Sequence, residues 1–466
     1  MTSRRPNNLF IHQLRKLLMY CNEIHKSEHD RYFSVIIFES DSYIRTLREL
    51  QMSGSLSRIR VLDLTRVLAG PWSTQMLADL GADVVKVERP VLGDDTRHWG
   101  PPWIPDEQGQ PTSDSAYFTS TNRNKRSVAI DISTLDGQKL IRELVKKSDV
   151  LVENYKVGDL KRYGLSYEDL KSIKPELIYC SITGYGQDGP YADKPGYDFI
   201  FQGEGGLMSI NGESDDKPGG GPMKTSIAIT DVLTGLNASI AILAALEHQR
   251  NTGQGQHIDI SLLDTIVHFG SNQIVSYFTS GKIPKRWGNA HPNLTPYQSF
   301  KTSDGHLIIA CGNDGQFRKL CATIGREDLA KDPRFASMSD RNYHREALIS
   351  EMSAIFERRS TGDWLLDLAD SDVPNGSINS YDKVFEHPQV IHRELKVKQI
   401  HANGGEVITV RNPIRMSVTP IENRYAPPVR GEHTMEVLGD LLELSKQDIE
   451  KLQEQRAIEI MTKGQI

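Results

Sequence analysis

Hydrophobic positions change their spacing along this chain, and the changes mark out successive elements. Ile59-Arg60-Val61-Leu62-Asp63-Leu64 reads as a strand and Ala69-Gly70-Pro71 as a turn. Ser73 through Met76, Leu77 and Leu80 to Gly81 then reads as a helix, and a second strand, Asp83–Glu88, follows at once. The alternation continues with a strand over Ser127–Ile130, a helix over Gly137–Lys147, and strands over Val150–Val152 and Leu177–Ile182. Strands alternating with helices predict an α/β fold with a doubly wound parallel sheet.

Further along, a β-prone run, Thr225–Thr230, gives way at Asp231 to a helical stripe: Val232, Leu236, Ile240 and Leu243, continuing to Leu246. Polar Asn251, Thr252 and Gly253 stop it. Gly203–Gly206 and Gly219-Gly220-Gly221-Pro222 read as flexible loops just upstream. From about Gly288 the texture shifts to a smaller α+β region, Tyr297 to about Leu395. The tail from Gly431 ends in helices, the last opened by a Ser445–Asp448 capping pair. Residues 1–56 lack the glycine-rich turns of the body and end in a linker-like Ser53-Gly54-Ser55.

Asp231 therefore stands where a helix begins. Unpaired N–H groups and the macrodipole favour negative charge there. Two readings stand side by side: an N-cap, for which Asp is among the best residues, and an ionised nucleophile. Taken alone, the segment favours the cap.

Composition narrows the classes. With 466 residues the chain has room for two to three domains. A net charge of −6 argues against nucleic acid as the main partner. No uninterrupted apolar run approaches the ~18 residues of a membrane span; the best is Ala238–Leu246. Cys21, Cys180, Cys311 and Cys321 have no metal-binding spacing and are too sparse for a disulfide framework. His387 and His392 are not a zincin pair, so no metal site is expected. The first twenty residues carry Arg4, Arg5, Arg15 and Lys16 among apolar residues and no acid, like a mitochondrial presequence. Acidic residues from Glu23 onward leave open a simple tail and a cytoplasmic protein.

A strand, a turn, a helix and a second strand ending in Glu88 superficially match a dinucleotide-binding unit. Between Leu64 and Gly81, however, only Gly70 is present, so the G-x-G-x-x-G that admits a pyrophosphate is missing. No P-loop occurs either.

Three blocks carry a resemblance: Arg66-Val67-Leu68-Ala69-Gly70-Pro71, Gly81–Pro90 (GADVVKVERP) and Gly93-Asp94-Asp95-Thr96-Arg97. Asn122–Ser127, Val152–Lys156, Ser181–Pro190, Pro195–Asp198, the Asp231 segment, Thr252–Gln256 and Gly431–Thr434 follow in order. Over about residues 58–462 the chain resembles the family III CoA-transferases. Arg286–His291 and Pro296–Gln298 resemble the branch acting on succinyl-CoA and a dicarboxylate such as glutarate.

The resemblance implies a Rossmann-like large domain built from both chain ends (57–285 and 396–466), with a smaller domain over 286–395 after an extension, 1–56. It also implies an interlocked homodimer with no permanently bound cofactor, coenzyme A being a substrate. Asp231 falls on the family's catalytic aspartate, which turns the balance toward the nucleophile. Tyr197 stands where the family's racemases carry a catalytic histidine. A phenol is a poor base at neutral pH but a good hydrogen-bond donor; the alternative is a half-buried packing residue. Leu68 and Ala69 fall on the turn that meets CoA, and Arg89 is placed for a CoA phosphate. Ile130, Asp131, Ile132 and Ser133, with Asn154, Tyr155 and Lys156, line the nucleotide groove, and Arg162 matches another groove position. For Arg89, Lys156 and Arg162 a solvated surface charge is the competing reading.

The implied activity moves CoA from an acyl-CoA to a carboxylic acid through covalent aspartyl intermediates. Backbone N–H groups near the glycine-rich loops are expected to stabilise oxyanions, and Gly203–Gly206 to act as a lid. Arg66, Arg97 and Arg286 are candidates to bind a remote carboxylate, with Arg97 and Arg286 ahead. A racemase of the same fold, a formyl-CoA or carnitine-type transferase and a non-catalytic acyl-CoA-binding protein are the alternatives.

Overall fold

The computed structural model describes residues 54–461. The presequence-like segment lies outside the described residues. The chain builds eight strands in its first part: β1 (Arg60–Asp63), β2 (Asp83–Glu88), β3 (Trp103–Pro105), β4 (Pro111–Ser115), β5 (Lys125–Ile130), β6 (Val150–Glu153), β7 (Ile178–Thr183) and β8 (Gln256–Ser261). Three helices matter for the site: α1 (Ala69–Asp79), α2 (Asp198–Glu204) and α3 (Ile229–Thr252).

A seven-stranded sheet has the order Ile458–Glu459, β5, β2, β1, β6, β7, β8. All its pairings are parallel except that of the C-terminal strand, which returns antiparallel onto β5. From β1 the chain first builds outward through β2 to β5, then crosses to the other side of β1 for β6. The strand order therefore reverses between β1 and β6, where open α/β sheets bind ligands beyond their strand ends.

Both faces of the sheet are buried, as a parallel sheet requires. Val61, Val84, Val150 and Ile178 face a core shared with Ala238 and Ile242 of α3. Their neighbours Leu62, Val85 and Leu151 face a second core, closed by Val437, Leu438 and Ile449 from the C-terminal tail. A third core, with Phe300, Leu307, Phe317 and Trp364, sits under the three-stranded sheet of Tyr297–Lys301, His306–Ala310 and Asn375–Ser377.

Several expectations change. Ala69-Gly70-Pro71 is the first turn of α1, where proline costs no hydrogen bond. Gly70 is required by closeness, since a Cβ there would stand 2.3 Å from that of Thr65. Thr225–Ala228 forms no strand. Gly203 lies in α2 and Gly205 ends it; a Cβ on Gly205 would stand 2.0 Å from the Ile266 side chain, so this is a packed helix end and not a loop lid. By length and composition α3 could cross a membrane. It packs beside α1 and against β7 and β8, burying Ala238, Ile242 and Ala245 in the core while Ile240 stays exposed.

Candidate active site

The loop from β1 to α1 is shaped by buried charges instead of glycines. Lys86 is fully buried and donates to Asp94 Oδ2 and Thr65 O, both at 2.9 Å. Asp94 Oδ1 accepts from the Val67 N–H at 3.2 Å. Asn154, just past β6, accepts from the Arg66 N–H (2.9 Å) and donates to the Arg66 carbonyl (2.7 Å). Between these clamps Val67 takes φ +71, a conformation costly for a β-branched residue. A strained Val67 thus does what glycine does in a dinucleotide-binding turn.

Asp63 and Lys125, both fully buried, form a second clamp at 3.1 Å behind the loop. Arg97 forms a third. It holds Glu88 through two 2.7 Å bonds and Asp114 through another, and donates to Pro428 O. The Glu88 carboxyl sits at about 2: Arg97 and Lys86 overcome the burial that would raise it. Arg97 is wholly committed inside the protein, so it is not a cation waiting for substrate.

On the other side of the crevice, Gly184 and Gly196 leave room for the Phe201 ring. A Cβ at Gly196 would stand 2.3 Å from that ring, and one at Gly184 2.8 Å. This fixes α2, with Tyr197 at its N-cap. Gln202 is buried; its amide N–H donates to Asp198 Oδ2 at 2.6 Å and its carbonyl accepts from the Thr225 N–H at 2.9 Å. Asp198 Oδ1 in turn accepts from the backbone N–H groups of Thr230 (2.7 Å) and Asp231 (3.3 Å).

The capping of α3 therefore comes from Asp198, across from another helix. The N-cap residue itself is Ala228, and Asp231 lies in the first helical turn. Its side chain is released from the capping role the sequence suggested. One turn on, a Cβ at Gly235 would meet Ala69 O at 2.5 Å, so α1 crosses α3 closely and brings Leu68 and Ala69 beside Asp231.

Asp231 is 9% exposed, and its carboxyl is pushed up to about 7, first by burial and then by the charge of Asp198. Desolvation and a like charge work here against the helix dipole that favours the ionised form. The half-buried Tyr117, stacked edge-on to Trp99 at 5.1 Å, feels the same charges: burial, Asp231 and Asp198 push its hydroxyl up to about 12. Neither Asp198 nor Tyr117 was assigned a role from sequence. Asp198 was visible in the Pro195–Asp198 motif, whereas nothing marked Tyr117.

Two clefts meet at the reversal point. The first, about 240 Å3, brings together Asp231, Tyr197, Leu68, Ala69, Asn154 and Lys156. Tyr197 is 63% exposed, so the half-buried packing reading fails. The second, about 350 Å3, is lined by Arg89, Ile130, Asp131, Ile132, Ser133 and Arg162. Arg66 and Tyr155 border both, which joins them into one crevice. All eleven residues expected to meet CoA line it. Within it Asn154 spends its amide on the Arg66 backbone, and Arg162 pairs with Asp159 at 3.3 Å on the surface. Arg286 lies elsewhere: it is paired with Asp215 and donates to Glu213 O at 3.1 Å. Neither Gly203–Gly206 nor Gly219–Gly221 lines the Asp231 cleft; the glycines there are Gly184 and Gly196.

Comparison with known proteins places this geometry in a class. The model of CoA-transferase family III matches residues 56–434, and the chain belongs to that family. It is 49% identical over 387 residues to a succinate–glutarate CoA-transferase of Agrobacterium fabrum, covering 83% of this chain and 95% of the relative. To the human succinyl-CoA:glutarate CoA-transferase it is 41% identical, with coverage of 85% and 88%. Among solved structures, a CaiB/BaiF family protein from Brucella suis superposes with a TM-score of 0.75 at 47% identity, over 84% of this chain and all of that one.

Proposed function

We propose that this CoA-transferase moves CoA from succinyl-CoA to glutarate or a similar dicarboxylate, with Asp231 as the covalent carrier. The observation that carries the reading is a buried aspartate, free of the capping role, in a crevice whose far end carries Arg89 and Arg162 beside Asp131 and Asp159. Relatives at 49% and 41% identity bear the names of succinyl–glutarate transferases, which supports the substrate pair.

Ionised Asp231 attacks the thioester carbonyl, the C–S bond breaks, and a mixed anhydride and CoA thiolate result. The thiolate attacks the aspartyl carbonyl, giving an aspartyl thioester and succinate. The acceptor carboxylate then displaces the thiolate, which finally takes the new acyl group and returns Asp231. A depressed basicity of Asp231 is not needed: a carboxylate held at about 7 is a stronger nucleophile than an ordinary one and still half ionised at neutral pH. The positive end of α1 at Leu68 and Ala69 stabilises developing oxyanions, and Tyr197 donates a hydrogen bond to the acyl oxygen. Arg89, Lys156 and Arg162 hold the CoA phosphates, and Tyr155, whose ring lies under the Arg66 guanidinium, lines the groove with its edge.

The same proposal includes a homodimer and a mitochondrial location. Ile240 on α3, and Val275, Phe278 and Ile283 further along the chain, are each exposed apolar side chains of the kind a second copy would cover. The location rests on the basic, acid-free first twenty residues. Light scattering should give about twice 52.4 kDa for the full chain, and an import assay should show cleavage of the extension. A panel of acyl-CoAs and acids, read by mass spectrometry, tests the substrate pair. A preference for oxalate or carnitine as acceptor would overturn it.

A further inference from the structure

A dicarboxylate needs a cation for the carboxylate that does not react. The cations bordering the Asp231 cleft are Arg66, Lys156 and Lys194. Lys156 and Lys194 are exposed, and Lys194 rests over the Tyr191 ring at 3.4 Å. Arg66 differs from both.

Its backbone is locked on each side by Asn154, and the residue after it is the strained Val67, so its Cα cannot drift. Its guanidinium lies 5.2 Å over the Tyr155 ring, where the two clefts join. Nε is buried and has no hydrogen-bond partner. An orphaned buried donor asks for an acceptor that arrives with a ligand. The other side of the fork holds only Asp95, at 3.2 Å, in a pair whose side chains are both 44% exposed. A solvated pair of this kind is weak and readily exchanged.

We infer that Arg66 recognises the remote carboxylate, and that Asp95 is the resident counter-charge the substrate displaces. The inference rests on the dicarboxylate reading above. In the covalent cycle succinate leaves before the acceptor attacks, so donor acyl group and acceptor acid occupy one place in turn. A single cation then serves the succinyl group and the glutarate alike. A planar fork suits this better than an ammonium, because it binds a carboxylate through two parallel bonds. Asp95 keeps the empty site neutral and makes monocarboxylates no better bound than before.

Because Asp95 competes with the substrate, the two residues have opposite expected effects. The experiment compares glutarate with butyrate, which is glutarate without its second carboxylate, as acceptors from succinyl-CoA. Wild type, Arg66→Gln, Arg66→Lys and Asp95→Asn are assayed at saturating donor. Arg66→Gln should reduce the glutarate-to-butyrate ratio of kcat/KM by about 10- to 100-fold, the range of one charge-assisted bond. Arg66→Lys should recover part of it. Asp95→Asn should lower KM for glutarate and leave the butyrate KM in place. Equal losses for both acids in Arg66→Gln, with a raised KM for butyryl-CoA as well as succinyl-CoA, would make Arg66 a CoA contact and overturn the inference. So would a lower glutarate preference in Asp95→Asn, a variant independent of how Arg66→Gln folds. A wild-type enzyme that does not prefer glutarate to butyrate would refute the dicarboxylate reading itself. A wild-type preference that survives Arg66→Gln would overturn only the role of Arg66.

Discussion

Replacing Asp231 by Asn keeps the side chain's shape and removes its titration. Burial and the charge of Asp198 hold the wild-type carboxyl at about 7 against an ordinary 3.8. In the unfolded chain the same carboxyl ionises near its ordinary value, so between the two values the native state binds the extra proton. Stability then falls as pH rises through that window, and the full cost is present above about 7. A proton affinity about a thousandfold above ordinary corresponds to about 4 kcal/mol, at 1.36 kcal/mol per tenfold. Relaxation around the site makes that a ceiling. Asn has no such cost, so Asp231→Asn should be about 2 to 4 kcal/mol more stable than wild type at pH 8.5 and nearly equal to it at pH 4. Urea midpoints at fixed protein concentration, compared across pH, measure this directly. The same variant should bind CoA yet lose transfer and the hydroxylamine-trapped adduct on residue 231. A stability difference that does not grow with pH would falsify the desolvated-carboxylate account, and near wild-type turnover would remove Asp231 from the mechanism.

The pH dependence of kcat/KM reports the free enzyme. It should rise with a midpoint near 7 as Asp231 ionises, and Asp198→Asn, which can still cap α3 but carries no charge, should move that midpoint to lower pH. Arg97→Ala should cost about 3 to 5 kcal/mol in denaturant unfolding, because it strands Glu88 and Asp114 without their cation. That marks it as structural, and a fully stable Arg97→Ala with altered acid specificity would contradict the buried triad.

Much of the architecture was legible in advance for a physical reason. A strand buried on both faces must be apolar at consecutive positions, and β1, β2, β6 and β7 announce themselves that way. The edge strand β8 lacks that consecutive apolar mark and instead alternates polar His257 and Asp259 with Ile258 and Ile260, the pattern of a half-buried strand. The start of α1 was misplaced because Gly70 and Pro71 look like a turn. They are tolerated because the first helical turn needs no N–H from Pro71 and because Gly70 must pass close to Thr65. The absence of phosphate-loop glycines was visible, but not its meaning: the turn exists, held by Lys86, Asp94 and Asn154 around Val67.

By itself the sequence determined the alternating α/β order, the long helix beginning near Asp231, and the ordered set of motifs that belongs to this family. Those are consequences of local periodicity and residue type. Only the tertiary structure decided what each charge does. The motifs single out Asp231, Asp198, Arg66 and Arg97, but not which partner each charge takes or how deeply it is buried. Folding gave Arg97 two carboxylates and no solvent, gave Arg66 an orphaned Nε at the mouth of a cleft, and gave the cap of α3 to Asp198. It also buried Asp231 beside a like charge, which raised its proton affinity against the pull of its own helix. Desolvation and partner choice are set by neighbours distant in sequence, so no local pattern could carry them.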